Sequence, residues 1–434
     1  MKPSVNIFWF RRDLRLEDNA GLFHALKSKK PVVPIFIFDR NILDELEEKN
    51  DQRLEFIHQA LAEIQTTLEK LGSTIDIRYW FPLKVYQELL EDYEINEVFT
   101  NHDYEPYAIQ RDSEVAALLQ SKGISFHTYK DHVILEENEV TKDDGKPYTV
   151  FTPYSRKWKS VVNDFYLRSY SNQKYLSNFY KQAAKAIPSL TSMGFQSTGK
   201  RFPSKNLDKT MIENYSQQRD FPALPGTSKL SVHLRFGTIS IRKLAQKAGR
   251  LNETFLNELI WREFYQMILL HFPLVVHQSF KPEYDRIQWR NNEKEFEAWC
   301  NGKTGYPIVD AGMRQLNETG YMHNRVRMIT ASFLTKHLLV DWRWGESYFA
   351  KKLLDYDLAA NNGGWQWAAG SGCDAAPYFR IFNPYIQTKK FDSELKYVKK
   401  WVPELEELNY PAPIVEHEFA RQRCLEVYSK ALKK

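Results

Sequence analysis

An α/β domain built on a parallel sheet, followed by a larger all-α domain, is the fold the sequence predicts. Three observations carry this expectation. Up to residue 131, short apolar runs alternate with amphipathic stretches. Beyond residue 205 strand signals vanish and helical ones dominate. Charge divides the same way: residues 1–150 sum to −10 and residues 151–434 to +15, which together recover the net +5. Such asymmetry suits one half that meets a polyanion and one that does not. Charge that merely keeps the protein dissolved is the alternative.

In chain order, VNIFWF, VVPIFIFD, TIDIRYW, EVFTNHD and ISFHTYKD read as strands rich in β-branched and aromatic residues. Between them 19–29, 53–71, 83–93 and 108–122 read as helices. Strand and helix in turn imply a parallel sheet covered on both faces. The glycines of this half, Gly21, Gly72, Gly123 and Gly145, form neither a Gly-x-Gly-x-x-Gly turn nor a phosphate loop. From Glu136 to about Ser204 the pattern dissolves into charged, Ser-rich and Pro-containing sequence. The expected organisation is therefore a domain over 1–131, a connection over 132–204 and an all-α domain over 205–434. Within the connection, KPYTVFTPYSRKW (146–158) reads as a packed piece.

Several classes fall away early. No apolar run approaches membrane-spanning length, and VNIFWF, followed at once by Arg11, Arg12 and Asp13, is a strand rather than a secretory signal. Cys300, Cys373 and Cys424 lie far apart, so neither a disulfide framework nor a zinc site is indicated, and no metal is expected. A reducing cytoplasm fits. The chain is unusually aromatic, with 27 Phe, 24 Tyr and 11 Trp, and eight of the Trp follow residue 200.

The densest chemistry runs from Lys352 to Pro384, KLLDYDLAANNGGWQWAAGSGCDAAPYFRIFNP, with a buried-looking Asp-Ala-Ala-Pro turn near its end. At helical period Asp357, Asn361 and Trp365 stand at i, i+4 and i+8, on one face of a continuous helix. Gly363 and Gly364 weaken that helix and let something flat approach the backbone. A carboxylate, an amide and an indole suit a planar heterocycle carrying N–H donors and ring acceptors, such as a flavin. A core helix with polar caps explains any one of these residues, but poorly explains Asn-Asn-Gly-Gly together.

Three further segments invite chemistry. In 222–240, Thr227, Ser228 and Ser231 lie beside Gly226 before a helical stretch, either as a plain N-cap or as an anion site fit for pyrophosphate. In NELIWREFY (257–265), Glu258, Trp261 and Arg262 share one helix face, as a surface ion pair or as a pocket floor. In MHNRVRM (322–328), Asn324, Arg327 and Met328 share another, with Arg325 to one side and His323 pointing elsewhere. A solvated basic helix is the plain alternative there.

The 352–384 stretch resembles the flavin-binding signature of the DNA photolyase and cryptochrome family, and the resemblance extends from Phe8 to the Pro411–His417 segment. FWFRRDLRLEDNAGL (8–22) is similar to the entry of that family's Rossmann-like antenna domain. The resemblance implies an all-α domain holding FAD, active as the reduced anion, through Tyr215, Thr227, Ser228, Lys229, Leu230, Ser231, Arg327, Asp355, Tyr356, Asp357 and Asn361. Arg327 is expected to pair with Asp355, Asp357 to accept from the flavin N3–H, and Asn361 to face N5. Trp289, Trp342 and Trp365 match the family's electron-transfer triad. Arg219, Glu258, Trp261, Arg262, Asn324, Arg325, Met328 and Trp367 are expected to meet DNA, with Glu258 and Asn361 catalytic and Trp367 lining the pocket opposite Trp261.

The implied function is light-driven repair of cyclobutane pyrimidine dimers in DNA, by a monomer. A cryptochrome-type light receptor is the nearest alternative; its members commonly carry a C-terminal extension past the helical domain, whereas this sequence stops soon after the last family-like segment. A (6-4) photolyase is disfavoured because Asn324 and Met328 stand where that branch has histidines. A second chromophore stays open. Tyr104-Glu105 is followed by Pro106, Tyr107 and Ala108 in place of the Asn-Glu pair of folate-binding relatives, leaving a deazaflavin, another flavin, folate or an empty site.

Overall fold

The computed structural model describes residues 2–433. Strands β1 Ser4–Phe10, β2 Val32–Asp39, β3 Asp76–Trp80, β4 Glu94–Asn101 and β5 Ser125–Tyr129 form one parallel sheet in the order β3-β2-β1-β4-β5. Helices α1 Ala20–Lys27, α2 Gln52–Lys70, α3 Pro82–Asp92 and α4 Pro106–Gln120 connect them. The central strands β1 and β2 are buried almost residue by residue. That is what a sheet covered on both faces requires, and it explains their near-continuous apolar runs. Asn19 and Asp51 start α1 and α2 by accepting from the N–H groups of Leu22 and Arg53. A one-turn helix over Arg40–Leu43 was not anticipated.

Strand order reverses between β1 and β4, the place where ligands of open α/β sheets bind. The carboxyl ends there frame a small cleft lined by Arg11, Arg12, Asp13, Asn101, Asp103 and Asp131 among others. Its walls are mutually paired: Arg11 bridges to Asp112, and Arg12 to Asp103 (3.1 Å) and Glu105 (2.8 Å).

The chain packs as two compact units that interleave in sequence. One comprises the chain up to Glu139, Val161–Asn206 and Lys229–Lys247; the other comprises Val140–Ser160, Leu207–Ser228 and the chain from Ala248 onward. The stretch 132–204, expected as a connection, is thus divided between the units, and 229–247 parts from the rest of 205–434. Two packing facts explain this. Helix α5, Phe151–Val161, buries Tyr154 and Trp158, and the Trp158 indole donates to buried Glu263 of the helical unit. Arg242 instead completes a buried ion-pair cluster with Asp18 and Asp131 of the α/β unit.

The helical unit continues through α6 Glu253–His271, α7 Pro307–Thr319, α8 Asn324–Ser332, α9 Trp342–Lys352, α10 Leu358–Ala369 and α11 His417–Leu432. Among the described residues no strand follows β5. One core cluster gathers Trp299, Trp342 and Trp365 with Phe349 and Leu334. Helix α10 runs unbroken through both glycines and ends at Gly370, left-handed at φ 94°. Packing outweighs their helix penalty. A Cβ at Gly363 would lie 2.3 Å from the ring of Tyr265, and one at Gly345 would lie 2.1 Å from Trp365.

Candidate active site

Asp357 is the N-cap of α10 rather than part of it: its carboxylate accepts from the Ala360 N–H (3.1 Å) and from the buried Gln266 amide at 2.9 and 3.0 Å. One turn on, the Asn361 amide donates to the main-chain carbonyl of Glu346 (3.0 Å) and to its carboxyl (2.8 Å). Because a backbone carbonyl only accepts, this bond fixes which end of the amide is which. The Asn361 Oδ1 is therefore turned away as a free acceptor. Gly364 lies on the same helix face, and a Cβ there would meet nothing within 4 Å. Acceptor, carboxylate and open backbone thus share one face. Glu346, half-buried, is raised above the usual carboxyl range by burial, against the Asn361 bond.

Arg327, on α8, pairs with Asp355 at 2.9 Å as expected and anchors itself to the Met322 carbonyl at 2.7 Å. Tyr356 follows Asp355 directly, half-buried. Tyr215 begins a one-turn helix and packs edge-on against Phe255. Thr227 faces the Tyr321 hydroxyl at 3.4 Å, beside Ser228. The expected helix after residue 230 is a single short piece, Ser231–Arg235, begun by Leu230 without a side-chain cap. Lys229, Leu230 and Ser231 fall in the α/β unit, with Lys229 at φ 53°.

The second face lies on α6. Glu258 is bound by Arg219 at 2.5 Å, Arg219 neighbours Asp220 at 3.9 Å, and Asp220 pairs with Arg325 at 2.8 Å. Arg219 and Arg325, expected to meet DNA, are links in one chain of charges; Arg325 also covers the ring of Phe391 at 4.4 Å. Burial raises the Glu258 carboxyl above its usual range, with Arg219 opposing. Trp261 and Arg262 are half-buried on the next turn. Phe151 lies flat on Trp261, ring centroids 3.7 Å apart and planes within 5°. Asn324 is exposed and Met328 half-buried on α8. His323 is the N-cap of α8, accepting from the Arg325 N–H at 3.2 Å, and burial lowers it to about 4.

Trp342 and Trp365 are buried in the same core cluster, with Trp289 and Trp367 packed half-buried against it. Neither buried indole N–H has a partner. The nearest rings to Trp365 are Phe349 at 5.0 Å and Trp299 at 6.0 Å. The Asp-Ala-Ala-Pro turn is not buried: Pro377 is exposed and Asp374 is left-handed at φ 49°. Gln266, Glu346 and Phe151 escaped the sequence reading. Gln266 stands two turns beyond Glu258 on one amphipathic helix, which was a usable signal; Glu346 and Phe151 meet their partners only through folding.

Comparison with known proteins agrees along the chain. A family model described as the FAD binding domain of DNA photolyase matches residues 255–409, and one described as DNA photolyase matches residues 6–171. Deoxyribodipyrimidine photo-lyases from a Synechococcus strain and from Escherichia coli K12 are each 37% identical. The first match covers 98% of this chain and 96% of the relative, the second 99% of each. Among solved structures, a class III photolyase from Agrobacterium tumefaciens superposes with a TM-score of 0.88 at 33% identity, covering 100% of this chain and 99% of its own. An archaeal photolyase from Sulfolobus tokodaii with two FAD molecules gives 0.80 at 35% identity, covering 98% and 100%. By these matches and by the fold, the chain belongs to the DNA photolyase family.

Proposed function

We propose that this chain repairs cyclobutane pyrimidine dimers in DNA under light, with FAD as its resident cofactor. One observation carries the reading: α6 serves both faces. Gln266 near its end holds Asp357, Tyr265 fills the niche at Gly363, and Glu258 and Trp261 stand one to two turns earlier. At 1.5 Å per residue those offsets put a lesion-binding face within roughly 8–12 Å along the helix from the flavin face. That is a short span for electron transfer.

The residues fit a flavin. The acceptor Oδ1 of Asn361 suits the N5–H of a reduced ring, Asp357 suits a ring N–H, and open backbone at Gly364 admits a flat edge. FAD, bound reduced and anionic, supplies the photoexcited electron donor. The chain's own part is to bind and orient. Gln266 fixes the Asp357 carboxylate, Glu346 fixes the Asn361 amide, and Arg327 with Asp355 braces α8 against the start of α10. Tyr215, Thr227, Ser228 and Tyr356 hold the remainder of the cofactor, a set carried by family likeness. Glu258 meets a base edge, while Trp261 stacks on a base held out of the duplex.

Arg262, Asn324, Met328 and Trp367 shape the same pocket, and Trp289, Trp342 and Trp365 refill the cofactor with an electron from outside. Trp365→Phe, Trp342→Phe or Trp289→Phe should each slow light-driven reduction and spare repair by chemically reduced protein. Repair that collapses while photoreduction persists removes the triad from that role. The protein is taken to act as a monomer, and three buried cysteines without disulfides fit a reducing cytoplasm. Illumination with dimer-containing and (6-4)-containing oligonucleotides in parallel tests the whole reading: only the dimer should be repaired, and repair of neither, or of the (6-4) lesion, overturns it.

A further inference from the structure

The Phe151–Trp261 pair is built differently from the other aromatic contacts of the helical unit. Aromatic rings ordinarily sit offset or edge-on, with centroids 4.5–7 Å apart. Here they overlap face to face at 3.7 Å and 5°. Such a sandwich needs support, and the structure supplies it at both ends. The Phe151 N–H, at the first turn of α5, donates to the Asp374 carboxylate at 3.1 Å, and Asp374 sits left-handed at φ 49° just beyond α10. At the Trp261 end, Tyr265, seated in the niche at Gly363, lies 5.5 Å away at 31°, and Phe264 abuts the indole edge-on at 5.6 Å. Trp261 nevertheless keeps part of its surface exposed. The face of the indole against Phe151 is therefore covered and its plane set, while part of the residue stays exposed.

We propose that Phe151 is a positioning residue for lesion recognition: it backs the indole of Trp261 so that the opposite face is held parallel to an incoming base before the base arrives. An unsupported Trp would lose its side-chain freedom on binding, and pre-ordering removes that cost from the binding step. The supports connect this device to the flavin helix, since Asp374 and Gly363 flank or belong to α10. The inference rests on the lesion-pocket reading of Trp261. Phe151 touches neither the reacting bonds nor the cofactor face.

The test compares dimer-containing with undamaged duplex of the same sequence, titrated into FAD-loaded wild type, Phe151→Leu, Phe151→Tyr, Trp261→Ala and the Phe151→Leu/Trp261→Ala double variant. A backing pair of this kind should shift the preference for damage by about 3- to 10-fold. Phe151→Leu is expected to lose that preference with unchanged affinity for undamaged DNA and unchanged FAD content; Phe151→Tyr should restore it. The double variant should be no worse than Trp261→Ala alone, because the two residues act as one unit. Full preference retained in Phe151→Leu, equal losses on both DNAs, or additive losses in the double variant overturn the proposal. Full preference retained in Trp261→Ala overturns the lesion pocket itself, a separate result. If Phe151→Leu does not load FAD, Phe151→Met carries the same comparison.

Discussion

Two charge clusters, one in each unit, use the same residue types to opposite ends. In the α/β unit Asp131 is gripped by Arg15 at 2.6 Å and Arg242 at 2.7 Å, and Arg242 also holds Asp18 at 3.0 Å; these four side chains are only 1–6% exposed. Burial works hardest on Asp131, in the direction of the neutral form, yet the two guanidinium groups pull its carboxyl below the usual range. In the helical unit Glu258, Arg219, Asp220 and Arg325 run in single file, 18–37% exposed. There burial prevails at Glu258, which is raised. A doubly gripped, dry cluster can only hold the fold together. A single-file, half-wet chain can exchange partners, so its arginines are free to release a carboxylate for a phosphate or a base.

The largest expected effect lies in the dry cluster. Arg242→Met leaves Asp18 and Asp131 short of a partner in the interior, and breaking a buried pair in this way costs about 3–5 kcal/mol. Urea unfolding at neutral pH measures it. A loss below about 1 kcal/mol, the range of exposed pairs, would erase the contrast between the clusters.

Next comes pH, through His323. Its folded value, lowered to about 4 by burial, lies below the ordinary 6.5, so the fold prefers the neutral ring that caps α8. The unfolded chain binds the proton first. Stability is therefore complete above pH 6.5 and declines as pH falls towards 4, by on the order of 3 kcal/mol in full. His323→Asn keeps a capping acceptor without the titration and should flatten the curve over that window. An identical pH dependence in the variant would show that other groups carry it.

Glu258→Ala probes the half-wet chain. FAD content should persist while repair yield falls, since a hydrogen bond to a charged group contributes roughly 1.5–3 kcal/mol. Stability should barely move. An undiminished quantum yield rules out the catalytic role, and a large stability loss would mean this cluster is structural after all.

The smallest effect belongs to Arg325→Ala. Its charge is shared with Asp220 and spread over Phe391, so binding to damaged and undamaged DNA should weaken alike and modestly. The slope of log affinity against log salt should shrink by about one contact. A loss confined to dimer-containing DNA would move Arg325 from backbone contact to lesion recognition.

Much of this molecule was determined by local sequence. Apolar runs such as VVPIFIFD can only be buried strands, Asn19 and Asp51 announce helix starts, and i, i+3, i+4 spacing placed Glu258 with Trp261 on one helix face. These are short-range consequences of backbone period and capping chemistry, which the chain carries wherever it folds. What tertiary structure decided lies between residues distant in sequence. Gly363 and Gly364 look like helix breakers until Tyr265 occupies the niche one of them leaves. Asn361 shows an amide but not its orientation, which Glu346, fifteen residues earlier, sets. Arg219 and Arg325 are expected to meet DNA, but that Glu258 and Asp220 partner them is set only by the fold. Segment 229–247 joins the α/β unit because Arg242 neutralises two carboxylates buried there, and Phe151 reaches Trp261, 110 residues on, only once Asp374 has fixed its helix. Periodicity encodes which way a side chain faces; only packing decides what it meets.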